Sequence, residues 1–323
     1  MATADLPTIE VSDLRRVYFD KKILGRGRET VALDGISFAV ARGSVFGLLG
    51  PNGAGKTTTV RILTTLLTPT SGQARVLGLD VAQQARAIRP RIAFIFGGDR
   101  GLYGRLTGKE NLRYFAALHQ LNPREAKRRA ELLLEQVGLD GRGDTLVEQY
   151  SRGMKQRLHL ARGLLIDPDV LFLDEPTIGL DPVGARDLRR LVPDLAAQGK
   201  TVLLTTHYMF EADAICDRLA IINKGRLIAE GTPAEIKGSF GAGSVLDVVL
   251  RQPASELVAA LEKIPGTEYV DVSAEGPYPK LTILAADAKL IQAQVESLVG
   301  TANLERISLR EPTLEEAYLK LVR

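Results

Sequence analysis

The segment Gly50-Pro51-Asn52-Gly53-Ala54-Gly55-Lys56-Thr57-Thr58 constrains this chain more than any other. It fits G-x-x-x-x-G-K-[ST], and the apolar run Ser44-Val-Phe-Gly-Leu-Leu before it reads as a strand. Glycines let the backbone N–H groups of such a loop converge on phosphate oxygens. The helix that follows, expected from Lys56 to Leu67, adds the positive end of its dipole. Lys56 supplies a mobile cation for β- and γ-phosphates, and Thr57 a hydroxyl ligand for Mg²⁺. A plain Gly-rich turn leaves Lys56-Thr57 unexplained, so the segment reads as a nucleotide site.

A second element is Asp169-Val-Leu-Phe-Leu-Asp174-Glu175. An apolar strand ends in two acids, at the carboxyl edge where open α/β sheets bind ligands. Asp174 is placed to hold Mg²⁺, directly or through water. Glu175, one step further out, can contact a water attacking the γ-phosphate. Thr201-Val-Leu-Leu-Thr-Thr is a further apolar strand, and His207 follows it.

With these motifs in order, residues 8–237 resemble the ATP-binding subunits of ABC transporters. Tyr150-Ser151-Arg152-Gly153-Met154-Lys155-Gln156-Arg157 resembles the family signature, with Arg152 in a glycine position and Met154 in the glutamine position. The resemblance implies that Ser151 and Gly153 bind the γ-phosphate of ATP held by an opposite subunit. Arg152 either adds a cation there or points to solvent. Gly179-Leu180-Asp181-Pro182 resembles the D-loop that runs along the dimer seam, and His207 the switch histidine that positions the attacking water. Tyr18 lies where the adenine-stacking aromatic falls. The expected Mg²⁺-contacting glutamine is replaced by Gly98, and Asp99 or water would take its role. The family fold is an α/β P-loop NTPase core with an antiparallel β subdomain and a helical subdomain, here at about 104–165.

Composition shifts at 238–244, Gly-Ser-Phe-Gly-Ala-Gly-Ser, which reads as a linker between an ATP-binding domain at 1–237 and an accessory domain at 245–323. Beyond it the pattern runs β-α-β-β-α-β, the ferredoxin-like split motif, followed by a helix over Thr313–Leu321 with Glu316 at the capping-box position. The ending Arg310-Glu-Pro-Thr-Leu-Glu-Glu-Ala-Tyr-Leu-Lys-Leu resembles the accessory domain of drug- and polymer-exporting ABC-2 subunits. No catalytic cluster stands out in it, so it reads as a dimerisation or regulatory module.

The longest stretches free of Asp, Glu, Lys and Arg are 43–55 and 62–74, at 13 residues each, where a membrane span needs roughly 18. The start, Met-Ala-Thr-Ala-Asp-Leu-Pro, has no signal-peptide pattern. A membrane role would therefore come through a partner. The single cysteine, Cys216, excludes a disulfide scaffold and suits a reducing compartment. A net charge of +3 argues neither for nor against nucleic acid, and the resemblance implies none. It implies ATP and Mg²⁺ as ligands, a second copy of the chain completing each site, and a separate integral-membrane ABC-2-type permease docked near Gly98–Leu106. The chain would sit peripherally on the cytoplasmic face of the membrane and power export. A soluble ABC ATPase unconnected with transport, or an importer subunit, is the alternative.

Overall fold

The computed structural model describes residues 6–20, 28–96, 101–238, 244–253, 255–275, 278–285, 287–300 and 302–322. Gly98, Asp99 and most of the expected linker lie outside these residues. The chain divides into two units, Met1–Thr232 and Pro233–Arg323.

The first unit holds two sheets. Strands β1 (Ile9–Asp20), β2 (Arg28–Val40), β4 (Ser71–Val76) and β5 (Leu79–Asp80) form an antiparallel sheet in the order β2-β1-β4-β5. Strands β3 (Val45–Leu49), β6 (Ile92–Phe96), β7 (Val170–Asp174), β8 (Thr201–Thr206), β9 (Arg218–Asn223) and β10 (Arg226–Gly231) form the other, in the order β10-β9-β3-β8-β7-β6. Its pairs are parallel except β9–β10, a hairpin turned through Lys224 and Gly225, both at positive φ. Every residue of β3, β7 and β8 is buried. This accounts for their unbroken apolar runs, since a parallel sheet is covered on both faces. Phe46 and Phe172 are the largest fully buried side chains, and each such burial stabilises by about 1.5–3 kcal/mol.

Helix α1 (Lys56–Leu63) follows β3. It stops four residues short of the expected Leu67, because Thr64 turns its hydroxyl back onto Val60 O and Thr65 takes a left-handed φ of 62°. After the short α2 (Ala85–Ile88), the helical segment comprises α3 (Gly108–Leu118), α4 (Pro123–Gln136) and α5 (Arg152–Leu164). A capping box between Thr107 and Glu110 opens α3. On α4, Arg128 and Arg129 close on Glu125, and these hydrogen bonds hold its carboxyl at about 2. Arg128 and Arg129 thus carry their own counter-charge on the helix. Helices α6 (Pro182–Ala197) and α7 (Met209–Ile215) complete the unit. Cys216, just past α7, is buried beneath Gly47, and burial pushes its thiol far above the usual range.

The second unit begins with α8 (Pro233–Gly238), five residues before the domain boundary expected from sequence. Then come β11 (Ser244–Leu250), α9 (Ser255–Leu261), β12 (Thr267–Glu275), β13 (Tyr278–Ala285), α10 (Ala288–Val299), β14 (Leu304–Arg310) and α11 (Leu314–Val322). The sheet is antiparallel, ordered β12-β13-β11-β14. Leu246, Val248, Leu281 and Ile283 on one face meet Leu261 of α9 and Ile291 and Val295 of α10. On the other face Arg310 pairs with Asp247 at 2.9 Å and with Glu316 of α11 at 2.6 Å. The Thr313–Glu316 capping box opens α11 as the sequence implies. Packing of α8 on α11 explains why the boundary falls at Thr232. Among the described residues no helix is long and apolar enough to cross a membrane.

Candidate active site

The site forms where β3, β8 and β7 end side by side. Register places Leu49 beside Thr206, and Thr205 beside Asp174. The loop after β3 and the residues after β7 and β8 therefore open onto one sheet edge.

The loop after β3 needs its glycines for space. A Cβ on Gly50 would stand 2.1 Å from Ile222 O, and one on Gly55 would stand 2.7 Å from Ala32 O. Gly55 caps α1 at φ 114°, with no side chain at the helix N-terminus, where the free backbone N–H groups face outward. Lys56 is only 4% exposed. Its ammonium donates to Gly50 O at 2.7 Å and Pro51 O at 3.2 Å, and lies 3.5 Å from Glu175 Oε1. Burial lowers its pKa, and the charges of Glu175 and Asp174 partly oppose that shift. Pro51, Asn52, Gly53, Thr57, Thr58 and Glu175 line the recess above it, and Ala54 anchors the loop by accepting from Gly225 N at 2.9 Å.

Thr57 Oγ1 donates to Asp174 at 3.1–3.2 Å. Asp174 also accepts from Thr205 Oγ1 at 2.6 Å, and that same hydroxyl accepts from Glu175 N at 3.0 Å. Thr205 thus fixes both acids, a role sequence reading missed. Its only signal was a polar pair closing an otherwise apolar strand. Glu175 is held at φ 49°, a left-handed conformation costly for a side-chain-bearing residue. His207 Nδ1 lies 3.4 Å from Glu175 Oε1 and is buried without a hydrogen-bond partner among the described residues. A buried ring nitrogen unpaired at this edge fits a polar ligand group entering the recess.

The other expected residues lie elsewhere in the unit. Ser151 caps α5, its hydroxyl accepting from Met154 N at 3.2 Å. A Cβ on Gly153 would stand 3.4 Å from Gly184 Cα on α6, and Asp181 caps α6 by accepting from Gly184 N at 2.6 Å. Arg152 turns its guanidinium toward Gly179 of the D-loop segment. Among the described residues, the hydrogen bonds and ion pairs of the phosphate cluster given above do not include Ser151 or Gly153. Tyr18 sits half-buried on β1 with the Arg16 guanidinium 4.9 Å over its ring. Thr57 and Asp174 present hydroxyl and carboxylate oxygens, which suit a hard cation. No cluster of three His, Cys, Asp or Glu able to hold a metal occurs among the described residues, so such a cation would keep phosphate and water ligands.

Residues 33–178 match the ABC transporter family. The chain belongs to that family. It is 44% identical to the daunorubicin resistance ATP-binding protein of Streptomyces coeruleorubidus, over 97% of this chain and 95% of that one. It is 37% identical to the Nod factor export ATP-binding protein I of Rhizobium meliloti, over 97% of this chain and 87% of that one. A solved ATP-binding subunit of an ABC transporter superposes with a TM-score of 0.60 at 32% identity, covering 72% of this chain and 93% of that one. This ABC protein is an ATP-binding and ATP-hydrolysing subunit of an exporter, which works with a separate permease.

Proposed function

We propose that two copies of this chain bury two ATP molecules between them and drive an ABC-2-type permease by closing and reopening. The carrying observation is the division of parts. Lys56, Thr57, Asp174, Glu175 and His207 gather at one sheet edge, while Ser151 caps α5 and Gly153 packs on α6. One protomer's cradle then needs the other's signature, and a two-fold arrangement completes both sites with the same surfaces.

In this reading the loop from Gly50 to Thr58 wraps the phosphates and Lys56 holds the β- and γ-oxygens. Glu175 accepts a proton from the attacking water, and His207 bonds the γ-phosphate. Ser151 Oγ and the Gly153 N–H close on that phosphate from the partner, with Asp181 beside the seam. Tyr18 stacks on adenine. Thr57 and Asp174 hold Mg²⁺, which when bound neutralises charge on the β- and γ-phosphates. ATP bridges the closed dimer, and hydrolysis removes the bridge. The exposed Tyr103 and Tyr114, joined through their hydroxyls at 3.1 Å, support permease docking on the helical segment and a peripheral position at the cytoplasmic membrane face. Relatives named for daunorubicin resistance and for Nod factor export support export of a small-molecule load by this chain's transporter.

The second unit is read as a ferredoxin-like accessory domain. Its strand order and paired helices support this.

The test is Glu175→Gln. It is expected to give an ATP-stabilised dimer by light scattering, with turnover nearly abolished. A variant that stays monomeric in ATP, even with the permease present, sinks the reading.

A further inference from the structure

Glu211 is a buried acid that the roles above leave unused. It opens α7, four residues past His207, and is 4% exposed. Thr177 Oγ1 donates to its Oε2 at 2.7 Å, and Thr206 Oγ1 lies 3.4 Å from the same oxygen. Arg189 of α6 reaches Oε1 at 3.4 Å and stacks over Phe210. A charge this deep persists only where partners offset its desolvation, and here the partners come from three different elements.

Those partners bracket the reacting groups. Thr177 is two residues past Glu175 and four before Asp181. Thr206 precedes His207, and its hydroxyl accepts from Tyr208 N at 2.9 Å, so the peptides flanking the imidazole are pinned from the same point. Arg189 sits on α6, whose first turn abuts the signature helix at Gly184 and whose Asp187 lies 3.7 Å from Arg157 of α5. A continuous set of contacts thus runs from the signature helix, through α6, to Glu211 and on to Thr177 and Thr206, which lie within two residues of Glu175 and His207 along the chain.

We propose that Glu211 is a positioning residue that holds His207 and Glu175 in register with the D-loop and α6, so that the signature helix and the hydrolytic pair move as one. This rests on the roles given above to Glu175 and His207. It predicts a loss in kcat without a loss in ATP binding, because the hydrogen-bond and ion-pair partners of Glu211 among the described residues, Thr177, Thr206 and Arg189, lie outside the phosphate loop. A small misplacement of a reacting group lowers rate far more than affinity.

The experiment measures steady-state hydrolysis, ATP affinity and thermal midpoint in Glu211→Ala, Glu211→Gln, Thr177→Val and Thr206→Val. Glu211→Ala should lower kcat by roughly tenfold or more with KM nearly unchanged. Glu211→Gln keeps an acceptor for the two hydroxyls and should recover most of that loss. In a His207→Ala background Glu211→Ala should lower turnover by less than it does in the otherwise unchanged chain, the remaining loss acting through Glu175. Independent, multiplying losses would overturn the proposal, as would normal kcat in Glu211→Ala. Should Glu211→Ala fail to fold, Thr177→Val carries the test, and normal turnover there overturns it. Glu175→Gln and His207→Ala run beside these variants. If both still hydrolyse normally, the site reading has failed. If both are inactive while Glu211→Ala is normal, only the positioning role has.

Discussion

Thr57 and Asp174 are 117 positions apart in the chain, yet the hydroxyl of one donates to the carboxylate of the other at 3.1 Å. The contact exists because β3 and β7 flank β8 and all three end at one level. Thr57→Val keeps the volume and removes the oxygen. Hydrolysis should fall roughly tenfold or more and need higher Mg²⁺, while ATP binding in chelator stays intact. An unchanged Mg²⁺ titration would refute the assignment.

Gly50 leaves no room for a side chain. Gly50→Ala forces the new methyl against Ile222 O, a backbone atom of β9 that cannot swing away. Stability should fall by about 1–3 kcal/mol and ATP binding should be lost together. Thermal melts and nucleotide titration check this; a variant with normal melting and binding contradicts it.

Ser151 has a capping role and a proposed phosphate-reading role, and substitutions separate them. Ser151→Ala removes both, costing about 1 kcal/mol from the cap alone. Ser151→Asn keeps a capping oxygen. The asparagine variant should melt normally and bind ATP, yet fail to form the hydrolysing dimer. Full turnover in it would leave Ser151 as a cap only.

The Arg310 cluster should make the second unit acid-sensitive. Burial pushes Asp247 and Glu316 upward, but hydrogen bonds from Arg310, with Lys280 and Thr313 respectively, hold both below their ordinary 3.8 and 4.5. A carboxyl lowered by folding stabilises above its unfolded value, and that contribution drains away as pH falls through the folded one. Protection of α11 from hydrogen exchange should therefore decline below about pH 4. Arg310→Met should cost about 2 kcal/mol at neutral pH, less than a fully buried pair because the guanidinium is partly screened. Protection that is flat from pH 7 to pH 3 would refute it.

Sequence alone determined the chemistry of the loop from Gly50 to Thr58 and the two acids closing Val170-Leu-Phe-Leu. Steric freedom at glycine, a cation beside a hydroxyl and an apolar strand ending in carboxylates are local properties. It also determined the element order from β11 to α11 and the Thr313–Glu316 cap, which depend on neighbours along the chain. Only the tertiary structure decided that β8 lies between β3 and β7, which turned Thr205 from a strand residue into the anchor of both acids. It alone showed Glu211 buried among Thr177, Thr206 and Arg189, and α8 joined to α11 rather than to the first unit. Parallel strands gain their partners across long crossovers. Strand order, and with it every contact between distant side chains, is set by how the sheet buries both faces.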